Sequence, residues 1–178
     1  MEGQERSNVK MNSKEHERSA IALANYYVEK SKDEGKNLDL LKLIKFIYFT
    51  WGWVWAYTKE ELYNDRIEAW DFGPVIPSVY HAFKYQKPDD ITEKVVEARV
   101  DRNEKLDYYI PILDVSEKIR HVIDDVWNLY ITYPSGQLIE RTHADGPWRV
   151  VYRPGIRNIE IPKSLIQEFY ERLVSSKS

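Results

Sequence analysis

The chain has 178 residues, 43% hydrophobic and 31% charged, a balance that fits a soluble globular protein able to close a real core. Its 26 basic and 29 acidic side chains leave a net charge of −3 with no long basic block, so the electrostatic footprint of a duplex-binding protein is missing. Cysteine is absent, which excludes disulfides and cysteine-based metal sites.

The polar N-terminus, MEGQERSNVKMNSKEHER, is unlike a signal peptide, and residues 1–17 carry no apolar periodicity, so they are expected to form a flexible tail. From Ser19 the apolar positions Ile21, Leu23, Ala24, Tyr27 and Val28 recur on one helical face. After the polar break from Lys30 to Asn37 comes LDLLKLIKFIYFTWGWVWAY, apolar on nearly every side, with Asp39 placed to cap it. A helix greasy all round is a central core helix. Its unbroken apolar run, Phe46 to Tyr57, is short of the roughly 20 residues a membrane span needs, and a cytoplasmic location is expected. Lys42 and Lys45 interrupt it on neighbouring faces, and a buried Lys45 would call for a carboxylate such as Glu68 or Asp71. Trp51, Trp53 and Trp55 cannot all face one way at spacings of two, which makes at least one a candidate exposed anchor.

Arg66 to Trp70 reads as a short extended piece, and Pro77 suits the first turn of a helix reaching about Tyr85. KVVEARV and LDYYIP flank DRNEK as a β-hairpin. Asp114 with Glu117 resembles a capping box, opening a helix through Ile119, Ile123, Trp127 and Tyr130. Ser135 is placed to cap a short helix ending near His143, and a last amphipathic helix carries Leu165, Ile166, Phe169, Tyr170 and Leu173. The expected fold class is mainly α with a small β part: about six helices around the central one, in one domain over residues 18–174, with residues 175–178 a flexible end.

Two turn-like blocks stand out. In AWDFGPVIP, Gly73-Pro74 and Pro77 stiffen a corner, and Trp70 and Phe72 point to opposite sides if the chain stays extended. That corner either fills the core or presents Asp71 and Phe72 to a partner. A catalytic use of Glu68 and Asp71 is the weakest reading. In THADGPW, His143 near a helix C-terminus has a structural reason in the helix dipole, and with Asp145 it could also form half of a general-base pair. No recognisable nucleophile motif accompanies it, and His16, His81 and His121 lack metal-ligand spacing, so neither cofactor nor metal is expected.

KFIYFTWGW, then LYNDRIEAWDFGPVIPSVY, then THADGPW, then IPKSLIQEFY occur in the order seen in the Panacea domain. The chain resembles that family, also described as SocA-like or GepA-like and phage-associated, over about Ser19 to Leu173. The resemblance implies a helical, non-enzymatic antitoxin that binds a protein toxin directly. A second reading within the family is a proteolytic adaptor that delivers its toxin to a AAA+ protease. A hydrolase using His143 and Asp145 ranks below both. The positions matching the family blocks are Lys45, Tyr48, Trp70, Gly73, Pro74, Val75, Pro77, Thr142, His143, Asp145, Pro147 and Trp148. Two roles stand for them at this point, contact with the toxin or internal framework. The segment from Lys87 to Leu113 and the N-terminal tail lie outside the shared blocks and are where partner choice is expected to be written.

Overall fold

The computed structural model describes residues 13–101, 103–144 and 146–176. Seven helices occur among the described residues, with two small sheets beside them. Helix α1 (Ala20–Asp33) starts where the Ser19 hydroxyl accepts the Ala22 N–H at 3.0 Å. Helix α2 (Leu40–Thr58) starts on Asp39, whose carboxylate accepts the Lys42 N–H at 2.9 Å and a hydrogen bond from the Ser135 hydroxyl. With two bonds resting on one carboxylate, Asp39→Ala is expected to cost about 1–2 kcal/mol in a urea melt.

Helix α2 is the central element, as its sequence predicts. Helices α1, α3 (Pro77–Phe83), α4 (Glu117–Tyr130), α5 (Ser135–Ala144) and α7 (Lys163–Ser175) all pack on it. Its buried side chains include Leu43, Ile44, Phe46, Ile47, Trp51 and Val54. At roughly 1.5–3 kcal/mol for each large apolar side chain removed from water, this one helix supplies much of the driving force. Phe46 meets the Trp127 ring edge-on at 5.6 Å and Tyr27 at 5.5 Å, while the Tyr27 hydroxyl bonds to Thr50 and to the Ile123 carbonyl. Any side chain at Gly52 would strike the Tyr170 ring of α7, which explains a glycine in mid-helix.

The indoles of α2 differ from expectation. None of the three projects freely: Trp51 is buried and donates to the Tyr63 carbonyl, Trp53 donates to the Tyr130 hydroxyl, and Trp55 donates to Glu171. Half-buried indoles with bonded N–H groups are tied down by neighbouring helices rather than displayed.

Strand β1 (Ser13–Glu17) runs parallel to β5 (Leu106–Leu113), and β4 (Glu97–Val100) pairs with β5 antiparallel, in the order β1-β5-β4. The flexible tail expected over residues 1–17 therefore needs correction, because its last five residues are a strand; residues 1–12 lie outside the described residues, as do 177 and 178. The hairpin is clipped to α1 by Asn25, whose side chain bonds the Val95 carbonyl, the Val95 N–H and the Pro111 carbonyl. Strands β2 (Glu68–Trp70) and β3 (Gly73–Val75) form a separate tight hairpin, with residues 159–161 beside β2. Helix α4 is capped by Ser116 rather than Asp114, whose N–H instead bonds the Glu17 carbonyl at the end of the sheet. Likewise Ser135 lies inside α5 and spends its hydroxyl on Asp39. Helix α6 (Pro147–Val151) was not expected from the sequence. Among the described residues no helix is long and apolar enough to cross a membrane.

Candidate protein-binding site

The two blocks singled out above meet in space. Trp70 and Gly73 are cross-strand partners in the β2–β3 hairpin, so Asp71 and Phe72 form a two-residue loop between them. Gly73 has φ +98°, a conformation side chains strain to adopt, and a Cβ there would lie 2.5 Å from Thr142 Oγ1 and 2.9 Å from Lys45 Nζ. Glycine is therefore required twice, for the turn and for the close approach of α2 and α5.

Lys45 reaches this point from α2 and is fully buried. Its Nζ donates to the Pro74 carbonyl at 2.9 Å. The carboxylate expected for it is not there: Glu68 takes Trp70 Nε1 at 2.9 Å and Arg66 at 3.4 Å, and Asp71 takes the Tyr152 hydroxyl at 2.9 Å. No acidic side chain among the described residues pairs with Lys45. Burial alone pushes its pKa down to about 7, so the amine spends much of its time uncharged, which is how a lysine survives without a counter-ion.

The second block closes over the hairpin. The Trp148 indole on α6 donates to the Trp70 carbonyl at 2.8 Å. On one side its ring stacks against His143 at 3.8 Å and on the other against Tyr152 at 4.4 Å. Trp70 itself meets Tyr80 of α3 edge-on at 4.9 Å. Thr142 is buried and donates to the Ile139 carbonyl, and Pro147 opens α6. Val75 and Pro74 are buried in the hairpin, Tyr48 is buried on α2 with its ring edge-on to Tyr170, and Pro77 opens α3. Desolvation, and then the nearby Lys45 charge, holds the His143 pKa below its ordinary value. Its Nε2 is buried with no hydrogen-bond partner among the described residues. Asp145, the other half of the general-base pair considered from the sequence, lies outside the described residues.

Framework and display thus separate. Of the residues matching the family blocks, those described are buried or packed between elements. Phe72 is 63% exposed at the tip of the loop, and Asp71 beside it is exposed but held by Tyr152. Sequence reasoning missed Tyr152 and Tyr80. The signal for Tyr152 was its place four residues after Trp148, one helical turn on.

The fold and site define a mainly helical domain built on a buried lysine, with two aromatic loops shut across it. Residues 43–149 match the family described as antitoxin SocA-like, Panacea domain, and the chain belongs to that family. It is 29% identical over 134 residues to antitoxin SocA of Caulobacter vibrioides (strain NA1000 / CB15N), a stretch covering 74% of this chain and 69% of that relative. No solved structure matches the chain.

Proposed function

We propose that this chain is an antitoxin that neutralises a protein toxin by direct, stoichiometric binding, with the Asp71–Phe72 loop as an anchor. The observation that carries this reading is a large exposed aromatic at the tip of a hairpin whose other residues are locked. Phe72 is 63% exposed, while Trp70, Asp71, Gly73 and Pro74 around it are bonded or packed. A rigid aromatic loses little freedom on docking, so more of its buried area appears as affinity. Helix α6, tied to the hairpin through Trp148, adds the exposed Val150 to the same unit. An interface of ordinary size, about 1,600 Å² in total, suffices to mask a toxin.

Phe72→Ala is expected to weaken toxin binding by roughly 30-fold or more, the scale of a 2 kcal/mol anchor. The thermal midpoint should hardly move, because the ring is largely exposed. Co-expression with the toxin and titration of the purified pair check this. Full rescue of growth by Phe72→Ala, with unchanged affinity, contradicts the assignment of the loop.

A further inference from the structure

Among the described residues the β4–β5 hairpin ends on a strand paired on one side. Among them β4 pairs only with β5, so its outer side is an edge. The phase of the ladder says which residues face that edge. The Asp101 N–H donates to the Lys105 carbonyl at 2.8 Å, and Arg99 and Glu97 follow at spacings of two, opposite Asp107 and Tyr109. Hydrogen-bonded and non-hydrogen-bonded pairs alternate along an antiparallel ladder, so residues 97, 99 and 101 turn their backbone groups toward β5. At the base, Val95 spends both its N–H and its carbonyl inward on Asn25, in the same phase. Val96, Ala98 and Val100 therefore present their N–H and C=O groups outward. Edges are normally blunted by proline, lysine or a bulge. Residues 96–100 of this edge contain no proline or lysine, and Val100 is 66% exposed.

The strand also matches itself. Val96-Glu97-Ala98-Arg99-Val100 is chemically palindromic about Ala98, with valine answering valine and glutamate answering arginine. We propose that a second copy of this chain adds to the outer edge of β4, antiparallel, about a two-fold axis at Ala98. In that register Ala98 pairs with Ala98 of the copy, and Val96 pairs with Val100. These are the outward-facing residues, so their pairs are the hydrogen-bonded ones. Glu97 then lies opposite Arg99 of the copy in a non-hydrogen-bonded pair, where side chains approach most closely. The neighbouring registers that keep the hydrogen-bond phase centre on Glu97 or on Arg99, and each sets like charge against like. Charge thus selects one register. Arg99 is already fixed on this face by Asp107 at 3.1 Å, and a guanidinium has five donors with which to span both carboxylates.

Sedimentation velocity of the full chain across a concentration series tests this, and a monomer–dimer equilibrium is expected. Glu97→Arg and Arg99→Glu each place like charges at both pairs, so each variant alone should dimerise roughly tenfold or more weakly. Mixed in equal amounts, they restore opposite charges at both pairs, and a heterodimer should return. Ala98→Pro removes the outward N–H at the axis without touching the ladder to β5, and should abolish the dimer while circular dichroism stays native. A wild-type chain that stays monomeric throughout overturns the proposal. So does a dimer that survives Ala98→Pro, a charge-swapped pair that fails to associate, or amide protection at Ala98 and Val100 that arises only with a different protein bound.

Discussion

Lys45→Met is expected to leave the chain folded and to erase a rise in stability between about pH 7 and pH 9. The sign follows from the amine's two environments. In the unfolded chain it keeps its proton up to its ordinary value of 10.5; buried in the fold it releases the proton near 7. Between those values the unfolded state holds about one proton more, so raising the pH favours the fold. The slope approaches about 1.4 kcal/mol per pH unit, which gives a gain of roughly 2 kcal/mol across the window. His143 acts in the same direction on the acid side. Its lowered pKa means the folded imidazole refuses a proton that the unfolded one takes as pH falls through about 6.5. The buried tyrosines oppose this only in stronger base: Tyr27, Tyr63 and Tyr170 have raised pKa values, and their contribution is lost as pH climbs above about 10. Urea melts of both proteins at several pH values below 10 check the claim. Curves that rise in parallel would mean that the Lys45 amine keeps its proton inside the fold.

That lysine also marks where sequence reasoning reached and where it stopped. Helix α2 was legible because its signals are local: an unbroken apolar run and an Asp39 cap three residues ahead of its N–H partner. A carboxylate for Lys45 is expected because a buried charge needs a partner, yet the fold satisfies the amine with the Pro74 carbonyl and lets it lose its proton. Strand β1 escaped notice because SKEHE carries no apolar alternation, and its partner β5 lies some ninety residues away. The misplaced cap of α4 shows the limit of motif spacing. Asp114 and Ser116 both stand before an apolar stripe, but Asp114 is claimed by the sheet through its N–H bond to Glu17. The blocks around Trp70 and Trp148 were each visible as stiff turns. The closure of the second on the first, through one indole N–H and a stack of three rings, joins residues 78 positions apart in the chain. For the same reason the choice between framework and contact could not be read for each residue. Exposure separates them in the fold: Phe72 is exposed and Asp71 beside it is exposed but held by Tyr152, while Gly73, Pro74 and Val75 are buried.

Gly73→Ala is expected to cost about 3–4 kcal/mol in a urea melt, one of the largest effects available from adding a single methyl. Two separate penalties combine. At φ +98° an alanine is strained by about 1–3 kcal/mol. Its methyl would also lie 2.5 Å from Thr142 Oγ1 and 2.9 Å from Lys45 Nζ, and overpacking of this kind adds a similar amount. The Lys45 amine can swing only by giving up the Pro74 carbonyl, and Thr142 is pinned by its bond to the Ile139 carbonyl. A double-mutant cycle separates the two terms. Thr142→Ala clears the nearer atom, so Gly73→Ala made in that background should cost about 1 kcal/mol less than in wild type. The backbone strain should remain in full, because no substitution at Thr142 alters φ at Gly73. If the two changes are simply additive, the methyl is not meeting Thr142, and α5 does not hold the hairpin as closely as the geometry requires. On the proposed antitoxin function, toxin binding by Gly73→Ala extends the test from stability to function. A hairpin pushed off Lys45 carries Phe72 with it, so affinity should fall even under conditions where the variant is fully folded.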